Sequence, residues 1–298
     1  MTPKKNVGHS IRQRLLNYAK SSGQDFNQVL LRFANERLLY RLGKSEYVDR
    51  FLLKGATLFL VWNESKPHRP TRDVDLLGFG PEDAAELRKV FGRLCSMAEE
   101  DGIEYDGGTI EVKAIREDQR YGGLRLELKG KLHGARVHLQ IDVGYGDVVT
   151  PEAEEIEVPG ILKELEAPRL KGYPVYTVIA EKLEAMVQLG MTNSRMKDFY
   201  DVDFLLGKFE LEEGVLREAV RRTFERRGTA LPEGEPQVFQ PEFQEQKEVL
   251  WRQFLERNEL NGTDLELGKV LQRLRGRLLA TLGGRGAGFG GGMGAAGP

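Results

Sequence analysis

An α+β fold with a helical second lobe is the class this sequence predicts, and three observations predict it. Helix-like segments come first, strand-like runs with one helix among them follow, and helix-like segments return to the end. The run "ARVHLQIDVGYGD" alternates cleanly, with Val137, Leu139, Ile141 and Val143 on one side and His138, Gln140 and Asp142 on the other. From "TVIAEKLEAMVQLG" onward, apolar residues recur at helical spacing instead.

Taken in order, residues 10 to 42 predict two helices, the first capped by Ser10 with Ile11, Leu15 and Tyr18 on one face. Asp25 is placed to cap the second, whose Phe26, Val29, Leu30, Phe33 and Leu38 repeat helically before Gly43. "FLLKGATLFLVW" predicts a short strand to Lys54, a turn at Gly55 and a helix through Thr57 to Trp62. A strand over "RPTRDVDLLGFG" follows, then a helix over about residues 82 to 99. "TIEVKAIR", "LRLELKGKL" and the alternating run complete the strands. The acidic, proline-bearing stretch from 151 to 174 reads as a loop or lobe boundary. Beyond it, Thr177 is placed to cap a helix ending at Gly190, and a second helix stops before Gly207. Residues 211 to 282 are helical, broken at "GTALPEGEPQ". The expected domains are therefore a core at 1–150 with N-terminal helices, a mostly helical lobe at 151–282 and a disordered glycine-rich tail at 283–298.

Composition bounds the function. The 298 residues are 40% hydrophobic and 30% charged, a water-soluble profile, and a net charge of −2 advertises no global polyanion field. The single cysteine, Cys95, shares an apolar helix face with Leu87, Phe91 and Leu94 and reads as a buried thiol, so a disulfide scaffold is excluded. No apolar run is long enough to span a bilayer, and "MTPKKNVGHSIRQRLL" lacks the apolar core of a secretory signal. No membrane partner and a cytoplasmic location are the expectations.

The chemistry concentrates in "RPTRDVDLLGFG". Residues i and i+2 of a strand share a face, so Asp73 and Asp75 point together while Val74 turns to the core. Two such carboxylates repel unless a cation lies between them, and the matching cation is Mg²⁺ or Mn²⁺. Asp142, on the polar face of the alternating strand, is the candidate third ligand. By itself an Asp-x-Asp reads more simply as solvated acids on a surface strand. Two further clusters add context. Lys182, beside the apolar stripe of Ile179, Leu183 and Met186, is within reach of a triphosphate or is a solvated helix lysine. Arg195, Asp198 and Asp201 are three apart on one helix face, with Lys197 spaced to pair with Asp201. That is a salt-bridged exposed face or, given Phe199, Tyr200, Val202, Phe204 and Leu205, charges at a packed seam.

These segments, in this order, resemble the AbiEii and MenT group of nucleotidyltransferase toxins within the DNA polymerase β-like superfamily. "LKGATLFL" is similar to the family's turn before a helix, "TRDVDLL" to its aspartate pair, "LQIDVGYGD" to its later strand, and "SRMKDFYDVDFL" to its R-x-K-D-x-x-D signature, with "EKLEAM" upstream. The likeness covers about residues 10 to 206. It implies a nucleotidyltransferase core with a mixed sheet flanked by helices, and metal-dependent transfer of a nucleotide from an NTP. It also implies a toxin role with a cognate antitoxin encoded nearby, and an RNA acceptor, the 3′ end of tRNA. Carried onto this sequence, it makes Asp73, Asp75, Lys182 and Asp198 catalytic. Asp73 and Asp75, with Asp142, hold the metal. Lys54, Gly55, Ala56, Thr57, Thr71, Lys182, Arg195 and Lys197 bind the nucleotide. At Ala56 the turn keeps its backbone amide and lacks the hydroxyl common in the family.

Two other features sit outside that likeness. Arg217, Arg221, Arg222, Arg226 and Arg227 share one helix, either to meet RNA phosphates or to balance Glu218 and Glu225. The glycines of "DVGYGD" are not followed by a helix, which argues against a dinucleotide fingerprint. Two alternatives to the leading function remain: transfer to a protein or small molecule, and a non-catalytic nucleotide- or RNA-binding role.

Overall fold

Residues 7–115, 122–260, 262 and 264–283 are described in the computed structural model of the chain. They fall into two units, Met1–Val178 and Ile179–Pro298.

The first unit opens with α1 (Val7–Ser22) and α2 (Phe26–Gly43). Ser10 is not the cap of α1: the helix begins at Val7, which puts Ser10 in its first turn, and the buried stripe is Ile11, Leu15 and Ala19. Asp25 does cap α2, accepting from the backbone N–H groups of Asn27 and Gln28 that no helical carbonyl satisfies. Helical spacing suggested one apolar face, yet every residue from Phe33 to Leu42 is buried, Arg37 and Arg41 included. Asp101 makes that affordable. Its carboxylate is 1% exposed and accepts from Arg37 Nε at 2.9 Å and from Arg41 Nη1 at 2.7 Å. Buried charges persist in a core only when paired this closely.

Among the described residues, seven strands form one mixed sheet: β1 (Phe51–Lys54), β2 (Asp73–Gly78), β3 (Ile103–Ala114), β4 (Gly123–Leu132), β5 (Ala135–Tyr145), β6 (Glu154–Glu157) and β7 (Arg169–Gly172). Their order is β3-β4-β5-β2-β1-β7-β6. β2 runs parallel to β5 and β1 parallel to β7, while the other neighbours are antiparallel. The fold is α+β. The alternation read in β5 is real: Val137, Leu139, Ile141 and Val143 are buried, and Asp142 lies on the other face. The stretch from 151 to 174, expected as loop, contributes β6 and β7, so the sheet continues past residue 150. Those strands are four residues each, too short to show a period. β6 is an edge strand with Glu154, Glu155 and Glu157 exposed and Ile156 buried, a charged edge that discourages strand addition.

α3 (Leu58–Trp62) follows a single 3₁₀ turn at Gly55–Thr57, and α4 (Ala84–Cys95) is capped by Asp83. Cys95 is partly buried, and burial pushes its thiol up to about 11, so it is a poor nucleophile. α5 (Val175–Leu189) begins before Thr177, which is therefore no cap. Its hydroxyl accepts from Thr150 N at 2.8 Å and donates to Thr150 O at 2.9 Å, tying α5 to the segment after β5.

The second unit is helical. α6 (Met196–Lys208) includes Gly207, which the sequence placed beyond its end, and α7 (Glu213–Arg227), α8 (Pro241–Arg257) and α9 (Leu267–Leu282) follow. α9 is the centre, burying Leu267, Val270, Leu271, Leu274 and Leu278 against α6, α7 and α8. The expected break falls between α7 and α8. The glycine-rich tail lies, from residue 284, outside the described residues. No helix among the described residues is long and apolar enough to cross a membrane.

Candidate active site

Register in the sheet of the first unit assembles an acid cluster. β1 pairs Lys54 with Asp75, and the parallel β2–β5 pair sets Asp75 beside Asp142 and Asp73 beside Gln140. Val74 is 1% exposed on the core face, which leaves Asp73 and Asp75 on the opposite one. Ligand oxygens of Asp73, Asp75 and Asp142 all lie within 4.8 Å of one another. Opposed oxygen ligands of one hard cation stand about 4–5 Å apart, so the set fits a divalent ion.

The backbone around Asp75 supports that fit. Gly55 holds φ +71°, a left-handed conformation that favours glycine, and a Cβ there would stand 1.9 Å from Asp75 Oδ2. The carboxylate thus occupies the space that a side chain at position 55 would fill. Thr71 Oγ1 donates to Asp73 Oδ1 at 3.1 Å. Lys54 reaches across the sheet, its Nζ 3.1 Å from Asp147 Oδ2 and 3.0 Å from where a Cβ on Gly144 would sit. Gly144 therefore leaves room for that ammonium. Ala56 is half-buried and Thr57 is buried in the turn beside the cluster.

Asp142 has a different environment from its two neighbours. Arg125 is its cross-strand partner on β4 and makes two parallel bonds to it, Nε to Oδ1 at 2.8 Å and Nη2 to Oδ2 at 2.7 Å. With its amide oxygen turned towards Arg125, Gln140 accepts from the same two nitrogens at 3.1 and 3.2 Å. The hydrogen bond to Asp142, then the charges of Asp142 and Asp73, hold the Arg125 guanidinium above its ordinary value despite partial burial.

In the second unit, α5 supplies Lys182, the residue before α6 is Arg195, and α6 supplies Asp198 and Asp201. Both acids are fully buried. Lys182 Nζ lies 2.6 Å from Asp198 Oδ1 and 2.9 Å from Asp201 Oδ2, and Arg195 Nε lies 2.7 Å from Asp198 Oδ2. Burial pushes the Asp198 carboxyl up, but Lys182 and then Arg195 outweigh it and hold the group below its usual value. Asp201 takes Lys182 as partner rather than the expected Lys197, which is exposed. Lys197 projects away because Asp201 faces the interior. Asn193 fixes Arg195 by accepting from its backbone N–H at 2.7 Å.

Arg125, Gln140 and Asp147 were missed by sequence reasoning. Arg125 carried a signal, a charge between the buried Leu124 and Leu126, but only register shows which acid it faces. The arginine helix is largely engaged in pairing. Arg217 pairs with Glu213, Arg221 with Glu218 and Glu225, and Arg227 with Glu184 at 2.9 Å. Arg222 and Arg226 are exposed to solvent, as Arg217 and Arg221 also are.

Comparison with known proteins gives three findings. A family model described as "Nucleotidyl transferase AbiEii toxin, Type IV TA system" matches residues 37–273, reaching through α7, α8 and into α9. The crystal structure of JHP933 from Helicobacter pylori is similar at 17% identity and a TM-score of 0.46, over 90% of this chain and 94% of that one. A second H. pylori crystal structure, described as a candidate nucleotidyltransferase, is similar at 16% identity and a TM-score of 0.46, over 90% of this chain and 97% of that one. No curated protein matches.

Proposed function

The chain belongs to the AbiEii nucleotidyl transferase toxin family of type IV toxin–antitoxin systems, and from that premise we propose that it transfers a nucleotide from an NTP to the 3′ end of tRNA in a reaction dependent on Mg²⁺ or Mn²⁺. One observation carries the metal-dependent part. Asp73 and Asp75 share a face beside Asp142 on the next strand, with oxygens close enough for one cation, and a glycine leaves room for one of the carboxylates.

Each residue then has a task. Asp73 and Asp75 bind the cation, and Asp142 is the third acid within its range. Thr71 orients Asp73 through its hydroxyl, and Gly55 lets Asp75 take its seat. A divalent ion so held would make an acceptor hydroxyl more acidic and neutralise charge on departing pyrophosphate. The acceptor hydroxyl releases its proton to solvent as its oxygen forms a bond to the α-phosphorus, the bond from that phosphorus to the bridging oxygen breaks, and pyrophosphate leaves. Lys54, the turn at Gly55, Ala56 and Thr57, and Lys182, Arg195 and Lys197 are assigned to the nucleotide, following the family's motifs. Asp198 is assigned to hold Lys182 and Arg195, consistent with its two short ion pairs. The tRNA acceptor follows the resemblance, and the exposed Arg222 and Arg226 are of the type that meets phosphate backbones. Family membership implies an antitoxin partner.

The test is transfer of label from each of four α-labelled NTPs to total tRNA, with and without a chelator. Label on tRNA that disappears with chelator and with Asp73→Ala, at an unchanged melting temperature, is the expected result. Equal transfer by Asp73→Ala removes the mechanism. Label on protein or on a small molecule instead replaces the acceptor.

A further inference from the structure

We propose that the segment between α3 and β2, residues 63–72, docks the phosphodiester backbone of the RNA acceptor, with Lys66 and Arg72 as its phosphate contacts. The proposal rests on the reading that the acceptor is RNA, and it names the surface of the first unit that brings the strand towards the acid cluster.

Three observations carry it. First, positive charge gathers here in a chain that is acidic overall. The net charge of the 298 residues is −2, yet "NESKPHRPTR" holds Lys66, Arg69 and Arg72 against one acid, Glu64. Arg32 of α2 adds a further cation, its Nη2 donating to Ser65 O at 3.3 Å. Second, Lys66 and Arg72 are exposed, and among the described residues neither forms an ion pair. Other exposed cations of the first unit meet an acid, as Lys113, Lys131, Arg169 and Lys171 do. An exposed cation without an acid keeps its charge for a polyanion, which releases counterions as it binds. Third, the segment is held in shape by contacts that do not use those two charged groups. Glu64 and Ser65 turn the backbone with φ of 51° and 70°, left-handed values that are rare outside glycine. Ser65 N–H donates to Leu60 O at 3.0 Å, Lys66 N–H to Asn63 O at 2.9 Å, and Asn63 Nδ2 to Lys66 O at 3.2 Å. Pro67 and Pro70 fix their own φ. His68 is buried and stacks on Phe59, with ring centres 4.6 Å apart. A segment already in its docking shape loses little entropy when a strand arrives.

Position favours a strand over a single triphosphate. Arg72 immediately precedes Asp73, and the hydroxyl of Thr71 reaches Asp73 Oδ1 at 3.1 Å. An RNA whose terminal hydroxyl comes to the acids must lay its next phosphates on the surface around them. The acids repel those phosphates, and cations strung from residue 66 to residue 72 offset the repulsion at several phosphates in a row.

The experiment follows fluorescently labelled total tRNA by anisotropy as it binds the full chain over a series of KCl concentrations, with calorimetry of Mg–NTP binding alongside. Its variants are Lys66→Gln, Arg72→Gln and the double variant Lys66→Gln/Arg72→Gln, each checked for folding by thermal melting. Lys131→Gln, which removes one exposed charge from β4, is the control. The double variant is expected to weaken tRNA at least tenfold and to flatten the salt dependence by about one to two in log–log slope, with NTP affinity changed less than twofold. Lys131→Gln is expected to change tRNA affinity less than twofold. Wild-type tRNA affinity in the double variant overturns the proposal while the RNA reading stands, and so does a loss that Lys131→Gln reproduces in full. Loss of NTP affinity with tRNA affinity kept gives the segment to the nucleotide and overturns the proposal too. If the wild type binds no tRNA at low salt, the RNA reading and the proposal fall together. Where Arg72→Gln melts early, Lys66→Gln alone should weaken tRNA at least threefold, and an unchanged affinity overturns the proposal.

Discussion

The two acid clusters of this chain use the same side chain in opposite ways. In the first unit, Asp73, Asp75 and Asp142 are partly open to solvent, and their ligand oxygens face one another. In the second, Asp198 and Asp201 have no exposure, and each has an ammonium or guanidinium within 2.9 Å. The first arrangement gathers three carboxylates, one of them forked by Arg125, around a point that fits a cation. The second pairs its buried acids with Lys182 of α5 and with Arg195, the residue before α6. A buried carboxylate stays ionised only with such partners. Glu36 shows what happens with weaker ones. It is 4% exposed, its nearest cationic nitrogen, on Arg37, is 3.7 Å away, and burial pushes its carboxyl up to about 7.

If that contrast is right, the two clusters answer mutation differently. The largest effect is expected at Asp75→Asn. Transfer should fall by about three orders of magnitude or more, roughly 4 kcal/mol of activation free energy, with the protein still folded by thermal melting. A variant that keeps transfer but melts early would place Asp75 with the structural acids.

Lys182→Met is the mirror test. It leaves Asp198 and Asp201 buried with one cation fewer, and denaturant unfolding should show a loss of about 3–5 kcal/mol. The same network has an acid signature. Because the folded-state pKa of Asp198 is depressed, its contribution is present above the ordinary value of 3.8 and is lost as pH falls through the folded value. Stability should therefore drop below about pH 4 in the wild type, and that step should shrink in Asp198→Asn.

Glu36→Gln sharpens the rule from the other side. A carboxyl raised from 4.5 to about 7 in the fold favours its neutral form. Its contribution is fully present below pH 4.5 and is lost as pH rises to about 7, a change of roughly 3 kcal/mol. The glutamine variant retains an acceptor for Ile161 N–H, so its stability should be flat across that window and exceed the wild type at pH 8. Equal pH profiles would mean that Glu36 is ionised in the fold. The smallest effect belongs to Arg221→Ala. This arginine pairs with Glu218 and Glu225 on an exposed helix face, and calorimetry should detect no shift in melting temperature.

Much of the candidate site was legible because it is local. Asp73 and Asp75 are two apart in a strand, and period 2 alone puts them on one face. Asp142 was found the same way, from the alternation of β5. Asp198 and Asp201 were visible as a spacing of three on a helix, but their burial was not, since it depends on α5 bringing Lys182 against them. Lys197 was the expected partner of Asp201, but that carboxylate is buried and pairs with Lys182 instead. Helix ends were misread at Ser10, Thr177 and Gly207 because residue type gives a preference for a cap, while the backbone hydrogen bonds decide where the helix stops.

The amino-acid order by itself determined the α+β class, the shared face of the aspartate pair and the family's motifs, because all three are written in spacings of two to four residues. Tertiary structure alone decided that β2 lies parallel to β5, that Arg125 stands opposite Asp142, and that Gly55 backs onto Asp75. Those facts depend on strand register, and register joins residues far apart in the chain through hydrogen bonds that no local pattern encodes.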